Sequence, residues 1–221
     1  MNLFLLAHGL GDYIFQTSSL VTLKKKGNSF GYLAHFLIIL AFNFIVTIPF
    51  LSWRLIFSAL IIALIHILID YIRYMLIKKD NAYSLIIDQC IHIFSIYIIS
   101  LFFSITLYRM AYLDVAIIYI YAVFGGALLI RHILDMVNFD SQRYSINHAG
   151  KIIGILERSI IIILSAMGEF TAIGFVIAAK SIARFKELDD KEFAEYYLVG
   201  TMLSVLIALI GGLAAGKIMM L

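Results

Sequence analysis

Apolar residues run along this chain in long blocks, near 2–20, 31–51, 54–77, 84–107, 114–137, 150–167, 169–185 and 194–216. Most reach the roughly twenty residues that a helix rising ~1.5 Å per residue needs to cross about 30 Å of hydrocarbon. The pattern predicts an all-α fold, a polytopic membrane bundle of about eight transmembrane helices. Eight spans in 221 residues leave almost nothing for a soluble domain, so the expectation is a single integral membrane domain over 1–221 with short loops. The lone proline, Pro49, falls at a predicted helix end.

Composition sharpens this picture. Hydrophobic residues make up 63% of the chain and charged residues 14%, far from the roughly 45–50% and 25% of soluble domains. The first apolar block lacks the basic n-region of a signal peptide and carries His8, Asp12 and Gln16, so it reads as a structural helix. Gly9 and Gly11 would admit a close neighbour there. Cys90 is the only cysteine. It excludes an internal disulfide and reads as a small packing residue.

Basic residues set the expected orientation. Lys24, Lys25, Lys26, Lys78, Lys79, Arg143, Lys151, Lys186 and Lys191 gather in alternate loops, against Arg54, Arg109 and Lys217 on the other side. The positive-inside rule then puts the lysine loops in the cytoplasm and both termini outside. Trp53, Tyr108 and Tyr112 suit an interfacial belt at the opposite turns.

Polar residues inside the apolar blocks repeat. "HGLGDYI" at 8–14 returns as "HILIDYI" at 66–72, and each is followed by a helix bearing another histidine, His35 and then His92. The offsets are 58 and 57 residues. Hairpins 2–51 and 54–107 therefore read as a parallel repeat, related by a pseudo-twofold axis along the membrane normal, with a second half at 114–217.

The repeat carries chemistry. His8/Asp12, His66/Asp70 and Asp88/His92 are i,i+4 pairs, each on one helix face. With His35, seven ionisable side chains fall in one layer on the lysine-loop side. A single Asp at mid-membrane costs about 2.5–3.5 kcal/mol to insert. A divalent cation would neutralise the layer: histidine nitrogens and carboxylate oxygens suit zinc first, and manganese or iron as alternatives. His8, Asp12, His35, His66, Asp70, Asp88 and His92 are thus the candidate ligands, though spacing does not sort ligating carboxylates from those that orient a histidine. Pairing of His with Asp across helices is the purely structural alternative.

Further candidates lie nearby. Gln16 and Gln89 sit beside the layer and could orient water or substrate. His132 and Asp135, at i,i+3, could complete the site; His148, in a polar loop, reads as solvated. In the second half Glu157 pairs in expectation with Lys180, and Arg184 with Glu195. Lys180 and Arg184 could equally receive a phosphate.

The "HGLGDYIFQT" opening, the "HILID" and "DQCIH" helices, and the succession "GILER", "IAAKSIARF", "EYYLVGT" resemble the bacterial membrane family catalogued as domain of unknown function 3307. That resemblance implies a bacterial inner-membrane location and brings no activity with it. A looser likeness, in His/Asp motifs on membrane helices, is to membrane-bound metal-dependent hydrolases.

Two function classes follow. One is a metal-dependent hydrolase acting on a lipid ester or phosphoester at the cytoplasmic leaflet, with Asp88, or else Asp12, taking the proton of the attacking water. The other is a metal- or proton-coupled transporter using the same layer. A one-sided site and the scarcity of helix-breaking prolines favour the enzyme. A structural membrane partner without chemistry is the weakest reading. No Walker loop, dinucleotide-binding glycine pattern or basic soluble domain is present, so nucleotide and nucleic-acid functions are not indicated. The expected partners are the lipid bilayer and a lipid or phosphorylated substrate. The sequence does not define the oligomeric state.

Overall fold

The structure, a computed structural model, describes residues 1–50, 52–77, 80–105, 110–136 and 149–220. Lys78, Lys79, Tyr108, Arg109, Arg143 and His148 lie outside these residues. Among the described residues every regular element is helical: α1 Asn2–Gly9, α2 Ser18–Lys25, α3 Ser29–Thr47, α4 Trp53–Leu76, α5 Ala82–Phe102, α6 Ala111–Ile120, α7 Gly126–Met136, α8 Ala149–Ala166, α9 Phe170–Ala183 and α10 Lys191–Met219. A π-helical turn, Leu10–Ile14, extends α1, and a second, Tyr121–Gly125, joins α6 to α7.

Among the described residues five helical runs are long and apolar enough to cross a membrane: Ser29–Phe50, Trp53–Leu76, Ala82–Phe102, Ala111–Met136 and Lys191–Met219. The other three apolar blocks differ for identifiable reasons. α1 and its π turn end after Ile14, roughly 20 Å of helix, because Gln16, Thr17 and Ser18 interrupt the apolar pattern and the Thr17 hydroxyl accepts from Leu20 N to start α2. α8 carries Lys151, Glu157 and Arg158 within its length. α9 is apolar but has 14 residues.

Contacts gather the chain into two compact units, Met1–Ile120 and Tyr121–Leu221. In the first, side-chain caps open the helices. Asn28 caps α3, Ser52 caps α4, and Asn81 with Ser84 forms a capping box at α5. Phe4, Leu55, Ala59, Ile62, Ile96 and Ile99 pack into an apolar plug. Large apolar side chains such as Leu37, Leu64, Leu68 and Phe94 point outward, as lipid-facing surfaces do and water-facing ones rarely do. Cys90 lies on this outer apolar surface with Ile87 and Ile91, so the packing role expected for it does not apply.

In the second unit, α10 lies against α8 at backbone distance. A Cβ on Gly212 would stand 2.5 Å from the Ile162 carbonyl oxygen, and one on Gly216 2.8 Å from that of Ala166. This G-x-x-x-G spacing lets the two backbones approach where larger residues would hold them apart.

Candidate metal centre

The buried face of α3 carries Gly31, His35, Ile39 and Asn43 at i,i+4, and that of α5 carries Asp88, His92, Ile96 and Ser100 at the same spacing, beside Leu85 and Ile99. Position by position these are 57 residues apart. On α1 and its π turn His8 and Asp12 are buried, and on α4 His66 and Asp70. In the π turn the Phe15 amide donates to the Leu10 carbonyl, five residues back. That widened turn carries Asp12, in keeping with the tendency of π-helical turns to occur at functional sites.

All seven residues singled out as candidate ligands meet in the first unit. Three sets, His8/His66/His92, Asp12/His35/His66 and Asp70/Asp88/His92, each offer ligand atoms within 4.8 Å of one another. His35 Nε2, with no exposed surface, lies 3.1 Å from Asp12 Oδ1, 3.0 Å from His66 Nε2, 2.9 Å from Gln16 Nε2 and 3.5 Å from Asp70 Oδ2. An imidazole nitrogen has one proton or one lone pair, so it can satisfy few of these neighbours at once. A cation among them accepts lone pairs from the imidazoles and carboxylates together. His66 Nε2 stands 3.2 Å from the same Asp12 oxygen, and His8 Nε2 3.6 Å from Asp12 Oδ2. His92 Nε2 is 3.5 Å from Asp70 Oδ1 and 3.6 Å from Asp88 Oδ1. Among the described residues, neither nitrogen of His92 nor Asp88 Oδ1 makes a hydrogen bond, and all are buried. Buried polar atoms of this kind call for a partner.

A shell of polar groups holds the carboxylates. Arg73 Nη1 donates to Asp88 Oδ2 at 3.2 Å, while its Nη2 donates to Asp80 at 3.2 Å. The Gln89 amide donates to Asp12 Oδ2 at 3.3 Å and to Asp88 Oδ2 at 3.2 Å, and its oxygen accepts from the Tyr13 hydroxyl. Lys24, on α2, is buried and donates to Asp70 Oδ2. It reaches that depth because Gly31 lets α2 come close: a Cβ there would be 2.8 Å from Leu23 Cβ.

Lys24, Arg73 and Tyr13 were not among the residues expected at the site. Lys24 belongs to a run of three lysines that reads as a solvated loop. Arg73 was legible in principle, three residues after Asp70 on α4, where an arginine near carboxylates calls for a pairing role.

A family model described as protein of unknown function (DUF3307) matches residues 1–119. The chain belongs to this family. The DUF3307 match contains all seven clustered residues and ends one residue before the first unit does. No curated protein and no solved structure matches the chain.

The remaining candidates lie in the second unit. Lys180 Nζ donates to Glu157 at 2.7 Å and to Thr201 at 3.2 Å, so the expected Glu157–Lys180 pair forms. Arg184 faces Glu187 at 3.9 Å, and Glu195, its expected partner, is exposed. The Glu187–Asp189 turn brings that nearer carboxylate round. His132 uses Nδ1 on the Leu128 carbonyl at 2.8 Å.

Proposed function

We propose that this DUF3307 protein is an intramembrane metal-binding protein, and that its first unit is a metal-dependent hydrolase acting on an ester or phosphoester of a lipid. The observation that carries the reading is the convergence of four buried histidines and three buried aspartates, with ligand atoms within 4.8 Å in three overlapping sets. The donor set is nitrogen and oxygen without thiolate, which suits zinc, with manganese or iron as alternatives. A metal held there supplies Lewis acidity and lowers the pKa of bound water from about 15.7 toward about 7.

The protein's own groups complete the chemistry. Asp88 is the proton acceptor: Arg73 and Gln89 fix its Oδ2, and its Oδ1 makes no hydrogen bond. Asp12 is held by Gln89 and faces three histidines, which suits a ligand better than a base. Gln16 and Gln89 are placed to orient water or substrate beside His35 and Asp88. Lys180 and Arg184 have acidic partners of their own and are not assigned to substrate.

The membrane setting is part of the proposal. We place the chain in a bacterial inner membrane, with the five long helices spanning it and α1, α8 and α9 as shorter or charged segments completing eight passes. The lysine-rich loops then lie in the cytoplasm, both termini outside, and the centre faces the cytoplasmic leaflet. Hairpins 2–51 and 54–107 are copies of one unit, supported by the 57-residue correspondence of the buried stripes on α3 and α5.

A carrier is the second reading, favoured by one contact: the buried Lys24 ammonium on Asp70 is a cation that another cation could exchange with. The test uses protein purified in mild detergent. Bound metal should be stoichiometric by elemental analysis, and phospholipid or phosphoester substrates should be cleaved. Asp88→Asn should retain the metal and lose turnover by roughly 100-fold or more, as loss of a general base does. Metal-free protein after several gentle preparations and metal supplementation would overturn the reading. Metal flux into proteoliposomes without hydrolysis would replace it with the carrier.

A further inference from the structure

The seven groups are more than one zinc takes, since such sites use about four ligands, three of them from protein in catalytic cases. Their geometry divides them. His35 Nε2 and His66 Nε2, 3.0 Å apart, both face Asp12 Oδ1, at 3.1 and 3.2 Å, and Asp70 Oδ2, at 3.5 and 3.9 Å. On the other side His8 faces Asp12 Oδ2 at 3.6 Å, and His92 faces Asp70 Oδ1 at 3.5 Å, with the two imidazole rings 5.3 Å apart. Each of these two carboxylates therefore turns one oxygen to His35 and His66 and its other oxygen to a further histidine, His8 for Asp12 and His92 for Asp70, with Lys24 Nζ also on Asp70 Oδ2. That is how a bridging carboxylate sits between two ions.

The sequence correspondence is compatible with this division. Exchanging the hairpins sends His8 to His66 and Asp12 to Asp70, 58 residues on, and His35 to His92, 57 on. It therefore converts the first donor set, His35, His66, Asp12 and Asp70, into the second, His92, His8, Asp70 and Asp12. Asp88 alone has no carboxylate counterpart, because Gly31 occupies the corresponding place on α3.

We propose that the centre holds two divalent cations bridged by Asp12 and Asp70, one on His35 and His66 and the other on His8 and His92, and that it hydrolyses a phosphoester. This rests on the metal-binding reading above and narrows it. Two ions about 3.5–4 Å apart stabilise both the attacking and the leaving oxygen of an in-line displacement. Asp88, the group outside the symmetric set, takes the proton of the attacking water. The water oxygen forms the new P–O bond, the ester P–O bond breaks, and the proton passes to the departing alkoxide.

The test begins on the unmutated, metal-stripped protein titrated with Mn2+ and read by equilibrium binding and electron paramagnetic resonance. Two ions should bind per chain, and the hyperfine pattern of an isolated ion should give way to a spin-coupled spectrum as the second enters. Saturation at one ion with an isolated-ion spectrum would overturn the two-ion centre while leaving the metal-binding reading intact; no binding would overturn both. His35→Gln and His92→Gln should each lower the stoichiometry from two ions to one. Two ions bound without spin coupling would show that Asp12 and Asp70 do not bridge them, and would also overturn the proposal. Phosphodiester and carboxyl-ester lipids offered to the Mn2+-loaded protein decide the bond. Cleavage of the phosphodiester supports the proposal, and cleavage of the carboxyl ester alone overturns its substrate class.

Discussion

Each unit of this protein buries charge among apolar helices, and each uses a π-helical turn beside the buried group, yet the two clusters are built differently. In the second unit the charges answer one another. Lys180 meets Glu157, Thr201 and the face of Tyr197, while Arg158 Nε donates to the Val123 carbonyl in the Tyr121–Gly125 turn at 3.0 Å. In the first unit the Leu10–Ile14 turn presents Asp12 to three histidine nitrogens that also crowd one another. The second cluster centres on one carboxylate with one ammonium; the first crowds four histidines and three carboxylates around Lys24 and Arg73. Buried charge alone does not mark a site: the balance of donors and acceptors does.

The largest test of this contrast is Asp12→Ala. It removes the carboxylate that faces His8, His35 and His66, so metal affinity should fall by more than about 100-fold, beyond the range for residues that merely orient a ligand. Elemental analysis and titration check it. Glu157→Gln should leave metal content unchanged and instead cost about 3 kcal/mol of stability, the lower end for a broken buried pair, because the Lys180 side chain keeps 25% of its surface exposed. Lys180→Met added to it should restore much of that loss. Thermal unfolding in detergent reads both, and coupling absent from the double-mutant cycle would break the comparison.

Smaller effects sharpen it. Gln89→Ala should weaken metal binding by about 10–100-fold without abolishing it, since Gln89 positions Asp12 and Asp88 from outside the ligand ring. Arg184→Ala should change neither metal content nor stability beyond roughly 0.5 kcal/mol, as its pair with Glu187 is partly exposed and long. A large loss of metal in that variant would tie the two clusters together.

The seven residues of the centre were legible in the sequence because a helix fixes what i,i+4 residues share, and polar residues in apolar blocks have few bland explanations. Lys24 and Arg73 were harder. Lys24 reaches Asp70 across 46 residues of sequence, through the tight seat of α2 on Gly31, and no local pattern encodes that approach. The first apolar block was expected to run to residue 20 as one helix, but a threonine cap after Gln16 ended it and started α2. Hydropathy counts apolar residues and misses such competition by side chains for the backbone. Arg184 shows the same limit, since the turn at Glu187–Asp189 supplied a nearer carboxylate than Glu195.

The Lys24 contact also bears on life under metal scarcity. A pocket of bare carboxylates within a lipid-facing bundle would be unstable whenever its cation left, and the chain would be exposed to proteolysis each time supply fell. Here the Lys24 ammonium is seated on Asp70 and tethered to α2. On the proposed metal-binding reading, loading would replace one positive charge by another, and the unloaded protein would stay folded with Lys24 on Asp70.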